Sequence, residues 1–478
     1  MNQPEYDLAI IGSGGAAFAA AIRATALGKK VVMIERGTLG GTCVNTGCVP
    51  SKALIAAAEA RHVALDAASR FPGVHTSAAA VDMHRLIEEK QALVEQLRSA
   101  KYLDVADSYG WQRRAGVAHF TGSYEAPSVI VWTDDGTKET ITAAHYLIAT
   151  GAQPWIPPVE GLGEVDYLTS TTAMELSEVP ESLLVLGGGY VALEQAQLFA
   201  RLGSQVTVLA RSRLASREEP EASQALLEVF AGEGIRVVRR VSFESVRRDD
   251  ATGEVLVEAT VSGGPQEFRA SRLLVALGRR PVTELLNLDS VGVKTGPDGR
   301  VEVTDQLTSS NPRIWAAGDV TGQREFVYVA AAHGAMVVEN AFASADRSVD
   351  YTHLPRVTFT SPALGAVGMT EEEILAAGIS CDCRVLPLDY VPRALVNRDT
   401  RGFIKVAADA DTGRILGITA VAKDAGELAA AGVYILQAGM TLEQVARCWA
   451  PYLTMAEGIK IACQSFTTDV SQLSCCAS

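Results

Sequence analysis

Apolar residues fall in short runs that stop at glycine, and the arrangement occurs twice. YDLAII (6–11) predicts a buried strand that breaks at Gly12. Ala16–Leu27 follows with helical character, and VVMIE (31–35) predicts a second strand, completing a β-α-β unit. The same order returns as LLVLG (183–187), a helix near Tyr190–Leu202, and QVTVLAR (205–211). The chain therefore carries a partial internal duplication. Between the two units, residues 86–103 predict a long, charged, amphipathic helix. AHYLIATGAQP (144–154) and SRLLVALGRRP (271–281) each predict a strand ending in a glycine turn, and TSSNPRIWAAGDV (308–320) a strand ending at Gly-Asp. Beyond about residue 350 the pattern changes to strands and helices without such turns, and closes on a polar tail, TTDVSQLSCCAS.

Composition narrows the class. A chain of 478 residues is too long for one core, so several domains are expected. Apolar residues make up 48% and glycine 42 positions, which suits an α/β enzyme rich in tight turns. The net charge of -14, with no basic block, argues against a nucleic-acid or anionic-membrane partner. No apolar run is long enough for a membrane span. The first residues, MNQPEYDLAIIGSGG, lack a basic region followed by a long apolar stretch, so a cytoplasmic location is expected. In that compartment cysteines are more often catalytic or metal-binding than structural.

Gly12-x-Gly14-Gly15-x-Ala17 lies between a strand and a helix. The first glycine permits a tight turn, the second lets backbone approach a pyrophosphate, and the helix N-terminus offers N–H groups to phosphate. Glu35, at the end of the following strand, is placed to hold a ribose 2′-hydroxyl. Gly187-x-Gly189-x-x-Ala192 repeats the fingerprint, but Ala210 and Arg211 stand where an acid would be, with Arg213 and Arg217 close by. Arginine pairs with a 2′-phosphate that an acid would repel, so this second site is expected to prefer NADPH over NADH. The fold class predicted is α/β, with two Rossmann-like dinucleotide-binding domains.

Two cysteine pairs complete the picture. Cys43 and Cys48 lie in GGTCVNTGCVPSK, with Cys48 at a predicted helix N-terminus and Lys52 one turn on, a setting that favours a thiolate. Cys475 and Cys476 are adjacent on what reads as a mobile tail, and as a dithiol they suit a soft metal ion. Cys381 and Cys383 form a C-x-C before a predicted strand, where alternation would put both on one face with no other ligand visible nearby. Cys448 and Cys463, in apolar helical surroundings, read as core.

GGTCVNTGCVPSK, ATG (149–151), GGGYVALE (187–194), ALGRRP (276–281) and AAGD (316–319) together resemble the FAD-dependent pyridine nucleotide–disulfide oxidoreductases. The resemblance spans most of the chain. It implies a glutathione-reductase-like fold: an FAD-binding domain over 1–151, an NADPH-binding domain over 152–281, and a central domain over 282–350 completing the FAD site. A C-terminal α+β dimerisation domain over 351–478 would make a homodimer with shared active sites. It further implies FAD on Gly12, Gly14, Gly15, Ala17, Glu35, Thr42, Thr150, Gly151 and Asp319, with Lys52 near the flavin and paired with Glu194. Cys48 would be the thiolate against the flavin, Cys43 the outer thiol, and Tyr190 the cover of the nicotinamide pocket beside Gly187 and Gly189. Arg211 and Arg217 would read the NADPH phosphate.

The pattern departs at one point. Disulfide reductases of this family carry His-Pro-Thr-x-x-Glu near the C-terminus, the histidine serving as acid/base. Here the stretch is Tyr452-Leu453-Thr454-Met455-Ala456-Glu457. A phenol, with an ordinary pKa of about 10, is a poor proton shuttle. Tyr452 together with the terminal Ser-Cys-Cys resembles the mercuric reductases, a branch of the same family. That resemblance implies reduction of Hg(II) to Hg(0), with Hg(II)–thiol complexes as substrate. Cys475 and Cys476 would capture the ion and pass it to Cys43 and Cys48 of the partner subunit, with Tyr452 and Tyr102 along its path. A thioredoxin- or glutathione-type disulfide reductase is the alternative, since some thioredoxin reductases also end in a cysteine pair.

Overall fold

The computed structural model describes residues 4–472, so Cys475 and Cys476 lie outside the described residues. It divides into two compact units: residues 1–53, 85–155 and 278–349 in one, and 54–84, 156–277 and 350–478 in the other.

The first unit is built on a five-stranded sheet ordered Ile314–Ala316, Ala143–Ile148, Tyr6–Ile11, Val31–Glu35 and Gln112–Ala115. All four pairings are parallel, with Ile10 facing Leu147 on one side and Met33 on the other. Its central strands are buried on both faces, which is why they read as continuous apolar runs rather than as alternation. The helix Gly15–Ala26 is rich in alanine because a second helix, Val327–Ala343, crosses it closely. A side chain at Gly334 would place its Cβ 2.0 Å from the Ala16 carbonyl oxygen. Residues 278–349 belong to this unit because Ile314–Ala316 is hydrogen-bonded directly to Ala143–Ile148. An antiparallel meander over Val117–Gly122, Pro127–Trp132 and Lys138–Ile141 is also part of it.

The second unit repeats the architecture. Arg236–Arg239, Gln205–Ala210, Ser182–Leu186, Arg272–Val275 and Tyr167–Leu168 form a second parallel sheet. A three-stranded antiparallel ribbon lies within its sequence. The C-terminal portion is an antiparallel sheet ordered Arg356–Thr358, Ala363–Gly368, Ile415–Ala422, Phe403–Asp409 and Cys381–Pro387. Among the described residues no helix is long and apolar enough to cross a membrane.

Three local expectations change. The helix expected over 86–103 is α-helical from Met83 to Arg98 and then widens into a π-turn over Ser99–Leu103, which carries Tyr102. The C-x-C is not ahead of its strand, because Cys381–Pro387 is the strand, and the two sulfurs are joined as a disulfide. Cys463 is buried as expected, but Cys448 is exposed because the helix Leu442–Ala446 ends before it.

Candidate active site

Gly12 has φ +107°, a left-handed conformation, and a Cβ there would lie 2.3 Å from the Ala149 carbonyl oxygen. Only glycine lets the chain turn from strand into helix so close to the neighbouring strand. Gly14 caps the helix that begins at Gly15, and Ala17 is fully buried within that helix. Glu35 is held from two sides: its carboxylate accepts from the Ser13 hydroxyl at 2.6 Å and from the Gly37 N–H at 2.8 Å. Beside it a cleft opens between Gly12, Arg36, Gly116, Thr150 and Leu286. Apolar walls, a fixed carboxylate and helix N–H groups fit an adenosine diphosphate moiety. Thr42 lies in the first turn of Gly41–Asn45, and a Cβ on Gly41 would come within 2.5 Å of the Gly14 Cα, so the two phosphate-approaching loops touch through bare backbone.

The other end of this cradle is the loop after Ile314–Ala316. Thr150 donates to the Val282 carbonyl at 2.6 Å, and the Val282 N–H returns a bond to Gly151 at 3.0 Å. Burial raises the Asp319 carboxyl pKa, and Arg279, 3.7 Å away, works against that rise. The Gly318 N–H donates to His333 Nδ1 at 3.3 Å. Burial pushes the His333 imidazole down to about 4, so it stays neutral and keeps that lone pair available. Residue types and backbone clearances thus fit FAD along its length.

The dithiol spans two helices. Cys43 lies inside Gly41–Asn45, and Cys48 is the first residue of the 23-residue helix Cys48–Arg70. Cys43 is half-buried and Cys48 exposed. The Cys43 thiol pKa is raised, first by its hydrogen bond to Cys48, then by burial and by the Cys48 charge, with Lys52 pulling the other way. Cys43 therefore keeps its proton and shares it with Cys48, whose sulfur stands at a helix N-terminus. Tyr102 is brought to the same place by the π-turn. Its ring packs edge-on against Phe18 at 4.8 Å, and burial followed by the charges of Cys43 and Cys48 raises its pKa. It is a protonated phenol beside a thiol pair. π-turns within helices recur at functional sites.

The second fingerprint behaves like the first. Gly187 has φ +137°, and its Cβ would meet the Ala276 carbonyl oxygen at 2.3 Å. Gly189 caps the helix Tyr190–Leu202, and Tyr190 is 40% exposed at its first position. Past the end of Gln205–Ala210 lies a basic cleft lined by Arg211, Arg213, Arg236, Arg239 and Arg240. Arg213 donates to the carbonyls of Ser216 and Glu218, so it shapes the turn, while Arg211 and Arg217 are exposed. The cleft suits a phosphorylated ribose.

Glu194 is buried in this second unit and accepts from the Phe359 N–H at 2.9 Å. Tyr452 is 48% exposed in a turn where Leu453 has φ +62°. Buried Glu457 accepts from the Leu453 N–H at 3.2 Å, and the Thr454 hydroxyl donates to the Pro451 carbonyl at 2.9 Å. The retained threonine and glutamate of the motif thus build the turn that presents Tyr452. Ser13, Arg279, His333, Arg239 and Arg240 were not singled out from the sequence. Ser13 and Arg279 lie inside motifs that were read for their glycines, whereas His333 and the Arg239–Arg240 pair carry no local signal.

Comparison with known proteins agrees with this geometry. The pyridine nucleotide-disulphide oxidoreductase family matches residues 6–334, and the dimerisation domain of that family matches 354–463. The mercuric reductase of Streptomyces lividans is 58% identical over 99% of this chain and 98% of its own length. That of Staphylococcus aureus is 46% identical over 99% of this chain and 84% of its own. Among solved structures, the Cu(II) complex of the HOCl-induced flavoprotein disulfide reductase RclA from Escherichia coli superposes with a TM-score of 0.86. It is 28% identical and covers 98% of this chain and 100% of that one. With its two glycine fingerprints, its dithiol and these relatives, the chain belongs to the pyridine nucleotide–disulphide oxidoreductases and, within them, to the mercuric reductases.

Proposed function

We propose that this chain is a cytoplasmic homodimeric enzyme that reduces Hg(II) to Hg(0) with NADPH through FAD. The observation that carries the reading is the dithiol, Cys43 and Cys48 beside Tyr102, in a chain with Tyr452 where disulfide reductases of the family have their acid/base histidine. The chain's strong likeness to proteins named mercuric reductase supports it.

When bound, NADPH and FAD supply the two electrons that Hg(II) takes up. The remaining steps fall to the chain. Cys475 and Cys476 exchange their thiols for the two small-thiol ligands of Hg(II), releasing those thiols with the cysteine protons. The ion then passes to Cys43 and Cys48 of the partner subunit by the same ligand-for-ligand exchange. At no stage is it free, because each Hg–S bond that breaks is replaced by another. No disulfide is opened, so no imidazole base is needed. Tyr102 and Tyr452 offer phenol hydroxyls that steady the thiolates during transfer. Lys52, one turn on from Cys48, keeps positive charge near the dithiol. Hg(0) binds thiolates weakly and leaves. Arg211 and Arg217 set the preference for NADPH.

The test is NADPH consumption by the purified yellow protein, with Hg(II) in excess small thiol and, separately, with glutathione disulfide, lipoamide and oxidised thioredoxin. Hg(II)-dependent oxidation with release of mercury vapour is expected. Brisk turnover on a disulfide, with Hg(II) acting only as an inhibitor, would instead establish a disulfide reductase.

A further inference from the structure

Cys381 and Cys383 take no part in the chemistry above, yet their setting is that of a reactive pair. They open the strand Cys381–Pro387, which lies at the edge of its sheet and pairs only with Phe403–Asp409. In a strand, residues two apart share a face. The intervening side chains point the other way: Arg384 donates to Asp382 at 2.7 Å and lies 5.2 Å from the Phe466 ring. The two cysteines therefore share one face, both half-buried and joined as a disulfide, with Cα atoms 6.2 Å apart. That separation lies within the range a disulfide spans.

Their surroundings decide which ligand the reduced pair would take. Asp409, directly across from Cys381, is committed to its own turn, accepting from the N–H groups of Asp411 and Thr412 at 2.8 and 3.1 Å. Among the described residues, the one cluster of three or more acidic, histidine or cysteine ligands is Glu219, Glu221 and Glu371, which already holds Lys405. Two thiolates without further ligands do not satisfy a tetrahedral zinc ion, but they do satisfy a soft cation content with two sulfurs.

We propose that Cys381 and Cys383 form a second Hg(II)-binding site, distinct from the Cys43/Cys48 and Cys475/Cys476 pairs and gated by its own disulfide. Small monothiols open it: two thiols are oxidised to one small disulfide as the protein disulfide becomes two thiols. The dithiol then exchanges with a Hg(II)–bis-thiol complex. Two Hg–S bonds break, two form, and the two cysteine protons leave on the released thiols. The site binds and does not reduce, so it stands or falls independently of turnover.

The test uses the full-length, FAD-loaded protein without NADPH. Wild type and the C381S/C383S variant are reduced with glutathione and loaded with Hg(II) as its glutathione complex. After gel filtration, mercury per chain is measured by mass spectrometry. The variant is expected to hold one Hg(II) fewer per chain, with unchanged flavin content and flavin reduction by NADPH. When the reduction step is omitted, the two proteins should differ by none. Equal mercury content after reduction would overturn the proposal, as would the same one-equivalent loss in C448S. If wild type in a separate assay shows no Hg(II)-dependent NADPH oxidation while the difference in bound mercury stands, the proposed function fails and this site remains.

Discussion

Tyr452 carries the proposed departure from disulfide exchange, and its environment allows a direct experiment. The turn that carries it is held by Glu457, which accepts from the Leu453 N–H, and by Thr454, which donates to the Pro451 carbonyl, and nearly half of the Tyr452 surface is exposed. Tyr452→Phe should therefore keep the turn and remove only the phenol. Hg(II)-dependent turnover is expected to fall by about 10-fold or more, the scale of one lost hydrogen bond of ~1.4 kcal/mol in a transition state. Flavin reduction by NADPH, followed by stopped flow, should be unchanged, and unchanged turnover would remove Tyr452 from the metal path. Cys43, Cys48 and Tyr452 stand out in the sequence because they are reactive residue types in tight motifs. Cys448 was misread because helical periodicity does not say where a helix stops: the chain leaves Leu442–Ala446 two residues before it. Ser13 went unread because a serine between glycines looks like loop filler. Only the fold brings Glu35 and the Gly40 N–H to either side of its hydroxyl.

Elements meet through charge as well as through apolar packing. Lys405 lies in the strand Phe403–Asp409 with only 2% of its side chain exposed, and its ammonium donates to Glu219, Glu221 and Glu371 at 3.0, 2.9 and 2.7 Å. Glu219 and Glu221 belong to the start of the helix Pro220–Gly232. Glu371 opens the helix Glu371–Ala376, which is closed by a capping box at Thr370. Burial pulls the lysine pKa down, but the three carboxylates outweigh it and raise it above that of a free lysine. Two helix starts are thus pinned to one strand by a single cation. Lys405→Met would leave three carboxylates facing one another without it. A loss of roughly 3–5 kcal/mol is expected, read as a lower denaturation midpoint in urea, since breaking a buried ion pair from one side leaves uncompensated charge. A midpoint within error of wild type would mean that the glutamates are already well solvated. Pattern along the strand predicts burial for its apolar neighbours but says nothing of a lysine's partners, which are 34 to 186 residues away. The π-turn at Ser99–Leu103 is a similar case, invisible to a periodicity that treats the helix as uniform.

At the scale of the whole molecule, the C-terminal sheet belongs to a domain whose family role is dimerisation. Outside the sheet, that domain exposes large aromatic side chains: Tyr434, on the helix Ala425–Gln437, is 76% exposed, and Trp449 fully so. A homodimer is expected, with light scattering giving twice the 50.6-kDa chain mass. The double variant Tyr434→Glu/Trp449→Glu should shift the protein toward the monomer, because two buried, unpaired carboxylates oppose an apolar interface. If the metal path is shared between two chains as proposed, Hg(II) turnover should fall with it while NADPH still reduces the flavin. A fully active monomer would show that each chain carries its own complete site.

What the sequence determined by itself was local chemistry. Strands buried on both faces must be continuously apolar, a phosphate loop must be glycine where backbone turns at Gly12 and Gly187, and a thiolate favours a helix start at Cys48. These requirements act over a few residues and so leave a readable mark at fixed spacing. Tertiary structure alone decided which distant groups share a site. It set Tyr102 against the dithiol, His333 under Gly318, five arginines around one cleft, and Cys381 and Cys383 together on one face of an edge strand. Such neighbours are chosen by packing between elements far apart in the chain, and no rule of spacing records a distance that exists only after folding.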